Sequence, residues 1–180
     1  MSVTALKIRI ATPAGQIPEG RGFYQLEEEA LYLPLQYSGK NGRFFSYLES
    51  DTTVLHLDRD GRLMFIEISL PKRKWIVRED LVGPEQAALA DIRFLDFRTH
   101  FPRPAIFRDL TCENVMVRFN SGPSKYNYRL ATNLIAQVSE DKTLMAIWAW
   151  DIIDDTAGQA ISNWRKSLRQ QTPSPIPAAP

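Results

Sequence analysis

The sequence predicts a mainly β fold (α+β) of antiparallel sheets, sandwich- or barrel-like, with one C-terminal helix. Three observations carry this. Apolar residues alternate at period two over most of the chain, in short runs rich in Val, Ile, Phe, Tyr and Trp, a spacing that puts every second side chain on one sheet face. Turn residues separate those runs, most clearly at Asp60-Gly61, because Asp-Gly supplies the positive φ values of a tight hairpin. One stretch near the C-terminus changes to the three-and-four spacing of an amphipathic helix.

In chain order, strands are predicted at about 3–10 (VTALKIRI), 22–26 (GFYQL), 30–37 (ALYLPLQY), 43–49 (RFFSYLE), 53–58 (TVLHLD) and 62–70 (RLMFIEISL). Further strands fall at about 74–78 (KWIVR), 90–98 (ADIRFLDFR), 113–120 (ENVMVRFN), 126–138 (YNYRLATNLIAQV) and 143–152 (TLMAIWAWDI). Pro34 removes a ladder donor, which places its strand at a sheet edge or gives it a bulge. If Asp60 and Gly61 form a two-residue type I′ loop, Arg59 pairs with Arg62. Leu55 and Leu57 then share a buried face with Met64, Ile66 and Ile68, and His56, Asp58, Leu63, Phe65 and Glu67 take the other. The helix spans Ala157 to Gln171, with Ala160, Ile161, Trp164 and Leu168 on one face, and Asp154, Asp155 or Thr156 available as its cap. Pro84-Glu85 offers the start of a second, shorter helix through GPEQAALADI.

A length of 180 residues suits one globular domain over 1–171. The last nine residues, 172–180, hold four prolines and no charge, and are expected to be a disordered tail. An internal echo aligns LHLDRDGRLMFIEI from Leu55 with AQVSEDKTLMAIWA from Ala136, matching Asp60 to Asp141, Met64 to Met145 and Ile66 to Ile147. It suggests a pseudo-repeat of about 22–80 and 112–152, two similar halves whose sheets pack face to face.

The run QLEEEALYLPL, followed by VLHLDRDGRLMFIEI, resembles a family of small bacterial β-domains of unknown function. Members carry a tyrosine-acid-acid-leucine-tyrosine strand and an aspartate-rich turn into a glycine-isoleucine-glutamate-isoleucine strand. Here Leu26 stands near the leading tyrosine, and Phe65 replaces the glycine before Ile66, Glu67 and Ile68. The resemblance covers about residues 23–70. It implies a β-rich fold and a bacterial source, and carries no activity.

Composition narrows function by exclusion. With 22 basic against 21 acidic residues the formal charge is +1, so nothing electrostatic favours nucleic acid as an obligate partner. Apolar runs fall far short of the roughly 20 residues that cross a bilayer, so no membrane partner is expected. The start MSVTALKIRIATP lacks a secretory apolar stretch, and a lone Cys112 cannot form an internal disulfide, which points to the cytosol. Cys112 has Asp109 and Glu113 nearby and no basic neighbour, the setting of a buried structural thiol. Neither GxGxxG nor GxxxxGK[ST] occurs, so no nucleotide cofactor is expected.

Three groups of side chains remain as candidates. His56, Asp58 and Glu67 share a hairpin face and could form a charge relay or hold a metal, but neither HxH nor HExxH occurs, and a solvated sheet face is the expectation, with no metal. Lys72, Arg73 and Lys74 precede Trp75, a pattern that could grip phosphate and stack a base but more commonly protects a strand edge while Trp75 enters the core. Trp148 and Trp150 alternate along one strand, which makes them core or an exposed aromatic strip. The residues therefore favour a non-catalytic cytosolic binding or interaction protein, its partner another protein or a second copy in a homodimer. Two alternatives stand beside it: a carrier of a small apolar ligand in an aromatic pocket between the sheets, and a metal-independent hydrolase or lyase using carboxylates such as Asp58, Glu67 or Asp96.

Overall fold

A computed structural model describes residues 5–13, 15–36 and 44–171. Strands β1 (Ile8–Ala11) and β2 (Glu19–Gly20) lead into β3 (Phe23–Gln25), β4 (Ala30–Gln36), β5 (Ser46–Glu49), β6 (Thr53–Leu57) and β7 (Leu63–Ile68). A 3-10 turn at Lys72–Lys74 and the short strands β8 (Ile76–Val77), β9 (Ala88–Leu89), β10 (Asp91–Phe94) and β11 (Arg98–His100) follow. The second half holds β12 (Ala105–Arg108), β13 (Val115–Arg118), β14 (Tyr126–Ala131), β15 (Leu134–Val138), β16 (Leu144–Ala149) and β17 (Ile153–Asp154), and ends in α1 (Gln159–Gln171). The chain is thus mainly β with a C-terminal helix, as the alternation predicts.

Two sheets carry the fold. The first runs β11-β5-β6-β7-β4-β3-β17, with β2 also on β4, and the second runs β8-β12-β13-β16-β15-β14-β9. Inward residues of both, among them Leu31, Leu33, Leu55, Ile66 and Ile68 from the first and Val115, Val117, Ala136, Val138 and Ile147 from the second, form one buried cluster. Alternation explains the layering: β5 sends Leu48 inward and Tyr47 outward, because successive strand side chains point to opposite faces.

Connectivity repeats between the sheets. β3 to β7 pair in the order β3-β4-β7-β6-β5, and β12 to β16 pair as β12-β13-β16-β15-β14. Their central hairpins match in register at a constant offset of 81 positions: Leu55 faces Ile66 where Ala136 faces Ile147, and Leu57 faces Leu63 where Val138 faces Leu144. Both ladders slip at the same place, between His56 and Leu57 and between Gln137 and Val138. The final short strand of each half crosses over, so that β8 pairs with β12 and β17 pairs with β3. β1 and β10 pair with each other, and they accept the two hairpin loops alike: Phe94 N–H donates to Gly61 O and Ile8 N–H to Lys142 O. Gly61 needs its glycine, having φ +78° and room for no Cβ, which would sit 2.4 Å from Phe94 O.

Six local expectations are corrected. The Asp60-Gly61 loop has three residues, closed by Asp58 N–H to Arg62 O, and Gly61 but not Asp60 takes positive φ. The ladder slip then turns Leu63 inward and Met64 outward, while Leu55, Leu57, Ile66 and Ile68 keep the predicted face. Pro34 lies in a central strand, opposite Phe65, at the break where β3 ends and β2 has not begun, so no ladder donor is demanded on that flank. Residues 126–138 form a hairpin, β14 and β15, turning at Thr132 and Asn133, and 90–98 breaks into separate short strands. GPEQAALADI is not helical; it runs extended into β9 and β10. The proline-rich tail, 172–180, lies outside the described residues.

Candidate functional site

Helix α1 begins where Asp155 caps it, accepting the N–H groups of Ala160 (2.9 Å) and Ile161 (3.0 Å) on its two carboxylate oxygens. Ile161 and Trp164 pack against Phe23, Ala30, Tyr32, Met64 and Phe65 on the outer face of the first sheet. The helix thereby covers β3, β4 and β7. Among the described side chains none of α1 joins the packing over β6, β5 and β11, where the outward side chains are Val54 and His56, Tyr47 and Glu49, and Arg98 and His100.

This uncovered half is aromatic. Phe44 is 38%, Tyr47 46% and Phe45 52% exposed. The His56 ring stacks on Phe65 with centroids 3.9 Å apart, and Phe44 meets both rings edge-on at 5.8 and 5.2 Å. Phe45 is held from its flanks by Phe97 (5.9 Å) and by the Arg59 guanidinium over its face (5.7 Å). Each histidine of the chain lies on this face beside a glutamate, His56 Nε2 at 3.7 Å from Glu67 and His100 Nε2 at 3.4 Å from Glu49. The rings are thus fixed in place by their neighbours while their free surfaces face solvent.

A polar latch ties α1 to the sheet beside this surface. Tyr32 OH donates to Glu28, and Arg165 of α1 reaches the other oxygen of the same carboxylate at 2.5 Å. Burial, then the hydrogen bond to Glu28 and the charge of Glu67, push the Tyr32 hydroxyl above its ordinary range. Burial alone would raise Glu28, but the hydrogen bonds from Tyr32 and Arg165 outweigh it and hold the carboxyl below the usual value.

The sequence-derived candidates separate in space. Asp58 does not join His56 and Glu67: its Oδ1 accepts the N–H groups of Asp60 (2.8 Å) and Arg62 (2.9 Å) and shapes the hairpin loop. Among the described residues no group of three His, Cys, Asp or Glu could hold a metal. Trp75 is buried and donates to Leu70 O at 3.0 Å. Lys72 pairs with Asp154 (2.9 Å) over the Tyr24 ring, Arg73 pairs with Glu29, and Lys74 is exposed in the 3-10 turn. Trp148 is buried on the outer face of the second sheet, donating to Gln137 at 2.8 Å, and Trp150 stacks beside it half-exposed. Cys112 is half-exposed in the β12–β13 turn with φ +62°, not sealed in the core.

No family model and no curated protein matches the chain. No helix among the described residues is long and apolar enough to cross a membrane.

Sequence reasoning passed over Phe44, Phe45 and Tyr47. The signal was present in RFFSYLE, whose alternation sends Tyr47 and Glu49 to one face. What it could not show is which strands α1 would pack on.

Proposed function

We propose that the protein is a non-catalytic, cytosolic binding protein that recognises another protein through the uncovered half of the first sheet's outer face. The observation that carries this reading is the group of three large aromatic side chains, Phe44, Phe45 and Tyr47, left between 38% and 52% exposed, the first two packed against neighbouring rings. Burying such rings costs little side-chain entropy, which is why rigid aromatics with adjacent arginines anchor protein interfaces. Arg59 and Arg98 supply the cationic rim, and the three-residue edge strand β11 gives the face a short boundary.

The test compares capture by the immobilised wild-type chain with capture by a Phe45→Ser/Tyr47→Ser variant and by Val82→Ser, a change at an exposed site in the irregular segment between β8 and β9. The expected result is a partner, or a second copy of the chain seen by light scattering, retained by wild type and Val82→Ser and lost by the double variant at unchanged melting temperature. Equal retention by all three contradicts the reading.

A further inference from the structure

Helix α1 crosses the first sheet in a definite direction. Its approach is anchored on β3, where Asp155 N–H donates to Tyr24 O and a Cβ at Gly158 would lie 4.0 Å from the Gln25 side chain. Further along the helix, Trp164 packs edge-on against Phe65 of β7, which lies beyond β4 in the strand order. The next strands in that direction are β6 and β5. Phe65 is the ring at which helix and aromatic surface meet, because its other neighbours are His56 at 3.9 Å and Phe44 at 5.2 Å. The chain therefore leaves α1 at Gln171 on the side of the sheet where Phe44, Phe45 and Tyr47 stand exposed. The residues that follow are TPSPIPAAP.

We infer that residues 172–180 dock on this aromatic surface of their own chain and keep it closed to a partner until displaced. The inference rests on reading the surface as a recognition site, and it names the chemistry that occupies it: an uncharged, proline-rich segment. Prolines 173, 175, 177 and 180 punctuate the run, and it carries no charged side chain. Proline lacks an N–H and fixes φ in the extended range, so a run of this composition presents ring faces and unpaired carbonyls at little ordering cost. Aromatic-lined surfaces are what recognise that chemistry. Here Phe44, Phe45 and Tyr47 offer ring faces. The Tyr47 hydroxyl and the Arg59 guanidinium, which lies over Phe45, supply donors for the carbonyls. Length suffices, since an extended proline-rich run of this size reaches about 28 Å, against about 10 Å from residue 44 to residue 47 along a strand. Segment and surface are joined through α1, so their encounter is intramolecular and a weak contact is enough to fill the site.

The experiment compares aromatic and backbone-amide NMR spectra of the full chain with those of a chain ending at Gln171, then titrates the shortened chain with the peptide TPSPIPAAP. The inference expects resonances of Phe44, Phe45, Tyr47 and His56 to differ between the two chains, while those of 115–118 and 144–149 in the second sheet coincide. The peptide should return the shifted resonances saturably toward their full-chain positions. TGSGIGAAG, which keeps the length and lacks proline, should bind weaker by about fivefold or more. Phe45→Ser/Tyr47→Ser in the shortened chain should weaken TPSPIPAAP by a similar factor, with unaltered resonances at 115–118 and 144–149 showing that it is folded. Full-chain spectra should not change on dilution; movement toward the shortened-chain positions would make a second copy the source of the segment and overturn docking within one chain. Identical spectra of the two chains at the aromatic surface, equal binding of both peptides, or peptide shifts unchanged in the double variant would each overturn it too. Should the spectra be identical while Phe45→Ser/Tyr47→Ser still loses a captured partner, the docked segment falls and the recognition surface stands.

Discussion

The outer faces of the two sheets begin from the same strand pattern and are closed in opposite ways. On the first sheet the segment after β17 becomes α1, and Ile161 and Trp164 cover Phe23, Tyr32, Met64 and Phe65. On the second the corresponding segment, after β8, stays irregular, and Leu81 and Ala87 lie against Phe107, Met116, Ile135, Ala146 and Trp148. The strands compensate. At the positions of His56 and Glu67 the second hairpin carries Gln137 and Trp148, hydrogen-bonded to each other, and Trp150 stacks alongside. A helix brings its own apolar side chains, so the strands beneath its border can carry polar groups and leave aromatics exposed. A thin segment brings few, so the strands themselves must supply the bulk. The recognition surface proposed above is the face whose cover is partial.

Several changes would break or sharpen that contrast. Trp164→Ala removes the largest side chain that α1 lays on Phe65, with which it packs edge-on at 5.2 Å. It should cost about 3–4 kcal/mol in denaturant unfolding, and a loss below about 1 kcal/mol would mean the helix is not what closes this face. Gly83→Ala probes the other face: a Cβ there would lie 2.4 Å from the Trp150 ring and 3.2 Å from Trp148. The expected cost is about 1–3 kcal/mol from overpacking, with a change in near-ultraviolet tryptophan dichroism; a neutral result would show that the segment is not seated against the tryptophans. Asp155→Ala removes the double cap of α1 and should cost about 1 kcal/mol, read in the same denaturation experiment.

The smallest effect is that of pH. Glu28 is held below its ordinary value of 4.5, so its contribution to docking α1 is complete above that pH and disappears as the pH falls through its lowered folded value. Tyr32 is held above its ordinary value of 10.0, so its neutral form favours the fold below pH 10 and that contribution is lost above it. Trp164 fluorescence should therefore be flat between about pH 5 and 9 and shift at both ends, and Glu28→Gln should remove the acid limb alone.

Local chemistry explains what could be read without coordinates. The alternation of LHLDRDGRLMFIEI gave the strands, the inward face and the pairing of Leu55 with Ile66, and the three-and-four spacing gave α1 to within two residues of its start. Where the reading failed, the deciding partner was remote. Met64 turned outward because the ladder slips beside His56, Pro34 is central because β2 and β3 leave a break beside it, and the exchange of β8 and β17 between sheets has no local signature. The candidate surface follows the same rule. Tyr47 and Glu49 were visible as neighbours on a face, but their exposure depends on how far a helix more than a hundred residues later extends across the sheet.

The most direct test places a photo-crosslinking benzoyl-phenylalanine at Tyr47, and separately at Val82 in the segment between β8 and β9, in the cell that makes the protein. The account predicts a single defined adduct from position 47 and none from position 82. Adducts of equal yield at both positions, or none at position 47 while the protein is folded and abundant, would contradict it.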